Sequence, residues 1–370
     1  MGMRVARRSA ESGFETVVFE EHGSIGSPMQ CAGLVSTRVV EMTGTESVFM
    51  KAGAATVHAP NGKELRLDAG ETRAVLLDRK RFDMEMAERA IERGAHLELG
   101  CSVRDVRRKG EKMAVRYRRG GENQDIDAKV VIGADGPGSA VRRSAGLGRP
   151  REVLSSIQAL VAHETEEIHI YLGNHKAPGF FLWEVPHPEG TLVGLASEQG
   201  SIYGILKKHL EKRGWSGRMI GLYAGTIPLG LLDESVDAGL MLVGDAACQV
   251  KPLSGGGLYT GLLSADLCSK TLIEALEKGD VSKESLNEYH RAWRDEIGGE
   301  ISKGLWMRKI YKTFSDKQLD ELIHTLNNEK VMGVIRDKGD IDYPSHLAGP
   351  VIKAAPKLLK FSGPLIKGLF

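Results

Sequence analysis

The stretch LMLVGDAACQVKPLSGGGL, residues 240–258, decides the fold because it joins a strand, an acidic residue and a glycine-rich turn. Leu240–Asp245 has the apolar run of a strand buried on both faces, and it ends in an acid. The turn Gly255–Gly257 opens an apolar pattern that predicts a helix to about Leu276. At such a turn, the free N–H groups and the dipole of the helix face a bound anionic or hydroxyl-rich group. The pattern is typical of a doubly wound α/β sheet.

A second strand-and-acid motif, VVIGADGPGSAVR at residues 130–142, lies earlier in the chain. In this order the two motifs resemble those of flavin hydroxylase-type proteins, in which the later motif holds the ribityl and pyrophosphate part of FAD. The Asp245 carboxylate is then expected to accept a hydrogen bond from a ribityl hydroxyl. Either motif alone also fits an ordinary structural turn, whereas the two together indicate FAD.

The rest of the chain predicts two further structural regions. Residues 153–197 alternate as the strands of an antiparallel sheet do, and the chain after the 258–276 helix is charged and helical. We therefore predict an α/β fold: a FAD-binding doubly wound (Rossmann-like) domain, an inserted antiparallel-sheet substrate domain and a helical C-terminal region. The predicted segments are the two parts of the FAD-binding domain, 1–150 and 225–278, the substrate domain, 151–224, and the helical region, 279–370.

The N-terminal residues fit the second half of a βαβ dinucleotide-binding unit. A helical stretch from Ala6 ends near Gly13, and a short strand ends at Glu20, where the acid that binds ribose hydroxyls is expected. Gly2 fits the third glycine of the fingerprint, at which helix and strand pack closely. The first strand and its two glycines would precede these residues. Two explanations compete, a start assigned too late or a short chain that binds FAD poorly, and the intact later motifs favour the first.

Composition limits the classes of function. The 370 residues are 41% hydrophobic and 27% charged with a net charge of +1, which is typical of a soluble globular protein and gives no sign of nucleic-acid binding. The cysteines form no CxxC pair and the histidines are scattered, so neither a disulfide nor a metal site is expected. No apolar run suits a transmembrane helix or a signal peptide, which predicts a cytoplasmic protein.

Two further segments resemble the geranylgeranyl reductase family, and the resemblance covers most of residues 2–275. GSPMQCAG, residues 26–33, is similar to the family's Gly-x-Pro segment followed by Cys-Ala/Gly-Gly, which lies against the flavin. RKRFD, residues 79–83, is similar to its Arg-x-x-Phe-Asp element, whose arginine contacts the cofactor. With the N-terminal fingerprint, the resemblance implies these cofactor-binding residues: Gly2, Glu20, Cys31, Ala32, Gly33, Arg79, Val103 (through its backbone, at the adenine end), Asp245, Gly257 and Leu258.

The substrate segment of the family is Pro-x-x-Tyr-x-Trp-x-Phe-Pro, and PGFFLWEVP at residues 178–186 resembles it. Here Phe181 replaces the tyrosine and Val185 replaces the phenylalanine. The resemblance implies that a prenylated lipid is bound by Pro178, Phe181, Trp183 and Pro186. Because alternate side chains of a strand face one way, positions 181, 183 and 185 are expected to form an apolar wall suited to a polyprenyl chain. Plain core packing is the alternative, and the missing tyrosine hydroxyl argues against a proton-relay role at position 181.

The resemblance implies a FAD-dependent reductase that saturates C=C bonds of geranylgeranyl chains in the biosynthesis of archaeal-type membrane phospholipids. Cys31, which the resemblance places nearest the flavin, is the catalytic candidate, either as a proton donor or as a packing residue. Two other functions stay open: a flavin-dependent aromatic monooxygenase of the same fold, and a truncated prenyl-lipid-binding homologue without activity. The electron donor is unknown, because no second Rossmann motif for NAD(P)H is visible.

The C-terminal tail, residues 345–370, contains no acidic residue and carries four lysines among apolar residues and prolines. Such a composition suits contact with anionic lipid headgroups, which predicts peripheral attachment to the inner face of the membrane. The alternative is a tail that packs on the domain with its lysines in water.

Overall fold

The strands follow one another closely along the first two thirds of the chain. A computed structural model describes residues 1–361. In chain order the strands are β1 (Val17–Glu20), β2 (Leu34–Ser36), β3 (Val48–Ala52), β4 (Ala54–His58), β5 (Glu64–Asp68), β6 (Ala74–Leu77), β7 (His96–Leu99), β8 (Cys101–Lys109), β9 (Lys112–Arg119), β10 (Glu122–Ala128), β11 (Val131–Gly133), β12 (Glu152–Val161), β13 (His169–Tyr171), β14 (Leu182–His187), β15 (Gly190–Ser197), β16 (Met219–Leu229), β17 (Val236–Asp237) and β18 (Leu240–Leu242).

The helices separate the strands of the nucleotide-binding half and then take over the C-terminal third. In chain order they are α1 (Gly2–Glu11), α2 (Thr37–Thr43), α3 (Arg79–Ile91), α4 (Ala140–Ser144), α5 (Ile202–Lys212), α6 (Leu258–Lys278), α7 (Lys283–Trp293), α8 (Gly299–Tyr311), α9 (Asp316–Leu326), α10 (Glu329–Lys338) and α11 (Ala348–Ala354). The order of these elements confirms the prediction that the chain contains a nucleotide-binding region, a sheet region and a helical region.

The nucleotide-binding half contains two small parallel sheets. β1 pairs with β7, and β11 pairs with β18, which also carries the short antiparallel β17. Helix α1 packs on both sheets, because its Val5 shares a core with Met241 of β18 while its Ala6 packs with Val18 of β1. Parallel strands covered by helices confirm the predicted α/β class. Within the described chain no strand joins β1 to β11 by hydrogen bonds, and the strand expected upstream stays a prediction.

A seven-stranded sheet forms the second layer, in the order β16-β12-β15-β14-β13-β4-β5. Helix α5 covers one face, where Leu206 and Leu210 pack with Leu195. The predicted substrate segment, 151–224, supplies the central strands, but β4 and β5 come from earlier in the chain and β16 runs on to Leu229. The sheet is mixed, since β13 pairs in parallel with β4 and antiparallel with β14. The division of the chain into four segments stays a prediction.

The helices after α6 are tied to both layers. α7 buries Tyr289 and Trp293 in the core that α1 and β18 also line. Arg308 of α8 is buried and lies 2.6 Å from a carboxylate oxygen of both Glu152 and Glu198, which fixes the helical region to the sheet. In the described part of the chain, no helix combines the length and the apolar character that crossing a bilayer requires.

Candidate functional site

Asp245 lies in a turn beyond the end of a buried parallel strand. The strand predicted to end at Asp245 ends at Leu242, because Gly244 has a φ of +68° and turns the chain into a short 3-10 helix. The carboxylate lies against the N-terminus of α6, since a Cβ placed on Gly257 would be 3.0 Å from its Oδ1. A side chain at Gly257 would therefore collide with Asp245, and the glycine is what lets strand end and helix start meet.

The Asp245 carboxylate receives no hydrogen bond from any group of residues 1–361. Burial raises the pKa of Asp245, and the Met1 ammonium and the Arg79 guanidinium oppose that shift. A half-buried acceptor without a donor is costly, so the turn is arranged for a hydroxyl or N–H that the described part of the chain does not supply.

Arg79 is the first residue of α3 and the second element of the site. The helix begins at Arg79, because Asp78 caps it by accepting a hydrogen bond from the Arg81 N–H. Nη2 of Arg79 donates to both carboxylate oxygens of Asp83, at 3.0 and 3.1 Å. Its Nε is fully covered and has no partner in the described structure. The covered Nε–H of Arg79 is therefore a hydrogen-bond donor that a bound molecule can use.

Electrostatics keep Arg79 charged in this position. Burial of the guanidinium opposes the charge, but Asp83 and then Cys31 favour it, and the pKa of Arg79 is raised overall. The Cys31 side chain therefore lies beside a permanent positive charge.

The loop that carries Cys31 is held against Leu77 and Arg79. Gly33 has a φ of +80°, its carbonyl accepts the Leu77 N–H at 3.0 Å, and a Cβ there would overlap the Leu77 carbonyl oxygen. The Cys31 Sγ accepts the Gly33 N–H at 3.4 Å. The neighbouring Ala32 is partly buried against the core that contains Val185. The loop thus sits between α3 and the seven-stranded sheet.

The start of α1 closes the site from a third side. A Cβ on Gly2 would lie 3.1 Å from the Cβ of Ala134, so Gly2 allows the close approach of helix and strand end that the fingerprint predicts. The Met1 side chain packs beside Gly244 and Gly261. Burial lowers the pKa of the Met1 ammonium. Because Met1, at the start of α1, packs beside Gly244, the positive end of the α1 dipole faces the turn that holds Asp245.

Glu20 and Val103 lie together at the other end of the same half. Glu20 ends β1 and accepts the His22 N–H at 2.9 Å. Val103 on β8 pairs with Tyr117, whose ring stacks on Phe19 at 4.3 Å between centroids. No direct contact joins Glu20 to Asp245 in the described structure, and their shared role in FAD binding stays a prediction.

The sheet turns an aromatic face toward the glycine loop. Trp183 and Val185 pack on the side where Ala32 lies, whereas Phe181 immediately precedes β14 and stacks on Phe180 at 4.2 Å. A Cβ on Gly255 would lie 3.3 Å from the Phe180 ring, which shows how closely loop and wall approach. Trp183 and Val185 thus share one face of β14, and the role of this face as a substrate wall stays a prediction.

The opposite face of β14 carries a buried carboxylate next to the apolar core under α5. Glu184 is fully buried on the α5 side, where it accepts hydrogen bonds from His209 at 2.7 Å and from Arg213 at 3.1 Å. Burial tends to raise the pKa of Glu184, but these two partners outweigh it and the pKa is lowered. This buried cluster is separated from Trp183 by the thickness of the sheet.

The two prolines of the predicted substrate segment occupy backbone positions. The Pro178 carbonyl accepts the Ser197 hydroxyl at 2.9 Å, and Pro186 is buried within β14. Leu258, the first residue of α6, is partly buried beside Met1 and Tyr259. The structure places Leu258 next to Gly257, whereas the prolines shape the strand that carries Trp183.

Sequence reasoning missed the connection between Lys251 and the C-terminal region. The Lys251 Nζ is buried 2.7 Å from Asp342 Oδ1, and Arg38 bonds Asp340 at 2.7 Å and Asp342 at 3.2 Å. Lys251 belongs to the glycine-rich segment 240–258, but its partner Asp342 is 91 positions away. No local pattern in the sequence predicts this ion pair.

The residues present fit FAD. Asp245 offers an unpaired acceptor, Arg79 an unpaired buried donor, and the α1 N-terminus a positive dipole end. Gly33 lies against Leu77 and Arg79, and Gly257 lies against Asp245, each without a side chain that would crowd these groups. Acceptor, donor and dipole suit the ribityl, the ring and the pyrophosphate of a flavin dinucleotide.

Comparisons with known proteins agree with this geometry. The family described as "FAD binding domain" matches residues 8–219. Digeranylgeranylglycerophospholipid reductase of Methanothrix thermoacetophila is 31% identical over 89% of this chain and 90% of its own length. Digeranylgeranylglycerophospholipid reductase 2 of Methanothermobacter thermautotrophicus is 33% identical over 90% and 91%. The chain belongs to this reductase family.

Solved structures show that the fold is shared more widely than the family. A geranylgeranyl bacteriochlorophyll reductase-like protein of Thermoplasma acidophilum superposes with a TM-score of 0.84 at 23% identity, covering 99% of this chain and 95% of that one. The p-nitrophenol 4-monooxygenase of Pseudomonas putida gives 0.68 at 18% identity, with 90% and 93% covered. As a member of the reductase family with a FAD-binding domain, the protein is a flavin-dependent oxidoreductase, and FAD is its cofactor.

Proposed function

We propose that the protein is a FAD-dependent reductase that saturates C=C bonds of geranylgeranyl chains during synthesis of archaeal-type membrane phospholipids. The observation that carries the proposal is the meeting of the Cys31 loop and the Gly255 turn with one aromatic sheet face. A prenyl chain offers only hydrocarbon, so its recognition requires an apolar wall such as Phe181 and Trp183. The names of the relatives support the same substrate class.

Saturating an isolated alkene requires a hydride and a proton on neighbouring carbons. Reduced FAD supplies the hydride when bound and is left oxidised. The chain orients the alkene against the wall and excludes water from it. Cys31 supplies the proton from Sγ, and solvent reprotonates the thiolate that remains. Proton donation by Cys31 rests on the place of its loop between α3 and the seven-stranded sheet.

The reaction is tested anaerobically. Dithionite-reduced protein is mixed with a glycerophospholipid that carries geranylgeranyl chains, and mass spectrometry counts the hydrogens gained. We expect two hydrogens for each saturated bond. Turnover only in the presence of oxygen, with an oxygenated aromatic product, would favour the monooxygenase instead. A colourless protein that does not take up FAD would favour the inactive lipid-binding homologue.

The role of Cys31 is tested with Cys31→Ala. Loss of a general acid typically slows turnover roughly 100-fold, so we expect that fall in kcat for alkene saturation with the FAD content unchanged. Cys268→Ala is the matched control, because that thiol is fully buried in α6, away from the loop. Full turnover in FAD-loaded Cys31→Ala would show that Cys31 only packs.

We further propose that the C-terminal tail attaches the protein peripherally to the membrane. Within its described part, Ala355 and Leu358 pack against Val331 of α10, while Lys353 and Lys357 are exposed. Part of the tail thus packs on the domain, as in the alternative expectation, and Lys360 pairs with Glu321, whereas the exposed Lys353 and Lys357 can meet lipid headgroups. Residues 362–370 of the tail lie outside the described residues.

Two lysines carry the membrane prediction. Each lysine near an anionic surface contributes about 1 kcal/mol, so replacing Lys353 and Lys357 by alanine should weaken binding to anionic vesicles roughly 30-fold. Co-sedimentation at low and high salt measures it, with Lys63 and Lys112, exposed on other surfaces, replaced as the control. Equal sedimentation of both double variants would exclude this contact.

A further inference from the structure

The inner face of the seven-stranded sheet carries polar side chains that the proposed apolar wall does not explain. Across the neighbouring strands β14, β15, β12 and β16, the backbone register aligns Trp183, Gly194, Gln158 and Tyr223 in one row. Directly paired residues of a sheet share a face, so this row lies on the side of Trp183. Aromatic wall and polar groups are therefore parts of one surface.

Gly194 lets the two ends of this row approach each other. A Cβ on Gly194 would lie 2.6 Å from both the Gln158 Cβ and the Trp183 indole ring. The indole and the Gln158 side chain thus lean over the same glycine. Any larger residue at this position would separate them.

The polar groups of the row have no hydrogen-bond partners among residues 1–361. Gln158 is only 5% exposed, yet no hydrogen bond joins its amide to any described residue. The Tyr223 hydroxyl is likewise unpaired within residues 1–361, and the Trp183 Nε1 is fully covered without an acceptor. Buried polar groups nearly always have a hydrogen-bond partner, so the covered Trp183 Nε1 is an exception. Beside the unpaired Gln158 amide and the partly exposed Tyr223 hydroxyl, it indicates a ligand.

The row next to it places the group close to the Cys31 loop. Ser156 pairs with Ala196 and Gly225, and a Cβ on Gly225 would lie 3.0 Å from Gln30 Oε1. Gln30 immediately precedes Cys31. Gln158 and Ser156 are two residues apart on β12, which corresponds to about 7 Å along a strand. Gln158 therefore lies one row of side chains away from the row that Gln30 contacts.

We propose that Gln158 and Tyr223, with the indole N–H of Trp183, form a neutral polar subsite that binds the glycerol oxygens to which the prenyl chains are attached. The inference rests on the proposed function, and it assigns the glycerol part of the substrate to these residues. The two rows carry no charged side chain, and a phosphate would call for arginine or lysine. An amide, a phenol and an indole N–H match uncharged oxygens.

Such a subsite has a consequence for the reaction. Anchoring the glycerol end fixes how far along the sheet each prenyl chain extends. The subsite therefore decides which C=C bond lies beside the Cys31 loop. Gln158 and Tyr223 act as specificity-determining residues, without touching the alkene.

The test compares two unreactive probes on the FAD-loaded full chain in detergent micelles. One probe is a glycerol lipid with saturated isoprenoid chains, and the other is the same isoprenoid chain as a plain hydrocarbon. Isothermal titration is expected to show tighter binding of the glycerol lipid. Gln158→Leu should weaken that binding about 5- to 10-fold and leave the hydrocarbon unchanged, since each neutral hydrogen bond contributes up to about tenfold.

Tyr223→Phe removes one hydroxyl and should weaken glycerol-lipid binding about 3- to 5-fold, which keeps the test valid if Gln158→Leu fails to fold. Ser155→Ala is the control, because Ser155 is exposed on the other face of β12. Equal loss for both probes, or an altered flavin spectrum with an unchanged preference, overturns the subsite. Wild-type protein that binds both probes equally also overturns it, whereas failure to bind either one removes the proposed function as well.

Discussion

Gly33→Ala is expected to yield protein that purifies without flavin. A Cβ at this position would overlap the Leu77 carbonyl oxygen, and the φ of +80° is strained for any side chain. Left-handed backbone costs about 1–3 kcal/mol for a non-glycine residue, before the overlap is counted. Because the loop cannot stay where it is, Cys31 and Ala32 should move away from Arg79.

The measurement is the ratio of flavin to protein absorbance after purification and after reconstitution with FAD. Gly62→Ala is the matched control, since Gly62 has a similar φ of +85° but nothing within 4 Å of its added Cβ. That variant should lose only about 1 kcal/mol of stability and keep its flavin. Equal flavin content in the two variants would show that the Gly33 contact does not shape the cofactor site.

Asp245→Asn is expected to change the stability of the apoprotein and the affinity for FAD in opposite directions. The half-buried carboxylate has no donor in the described structure, so an uncharged amide should stabilise the protein without cofactor. With FAD present, a hydrogen bond from a hydroxyl to a charged carboxylate contributes about 1.5–3 kcal/mol. We expect FAD to bind roughly 10- to 100-fold more weakly to the variant.

The pH dependence distinguishes this effect from simple disruption. A carboxyl whose pKa is raised in the folded state holds its proton more tightly there than in the unfolded chain. Its unfavourable contribution is absent below the usual aspartate pKa and develops as the pH rises toward the folded pKa. Unfolding of the apoprotein by urea should therefore show a fall in stability over that window in the wild type, and Asp245→Asn should lack this fall. A pH profile identical in both proteins would contradict a buried, unpaired carboxylate.

Much of the cofactor site could be predicted from the sequence, because its parts are contiguous motifs. Within residues 240–258 the local pattern predicts a strand, an acidic residue and a glycine turn. The segments that contain Cys31 and Arg79 each have a local pattern of their own. The alternation at Phe181 and Trp183 likewise follows from the two-residue period of a strand. Family membership and FAD binding, both predicted from these motifs, are confirmed by the comparisons.

The type of each element, and the chemistry that it brings, could be predicted from local sequence patterns. Only the tertiary structure decided which elements meet: that Cys31 lies beside Arg79, that Lys251 pairs with Asp342, and that Gln158 stands in one row with Trp183 and Tyr223. The reason is physical, since strand register and helix docking depend on the packing of the whole core. Residues far apart in the chain carry no local pattern that specifies their neighbours.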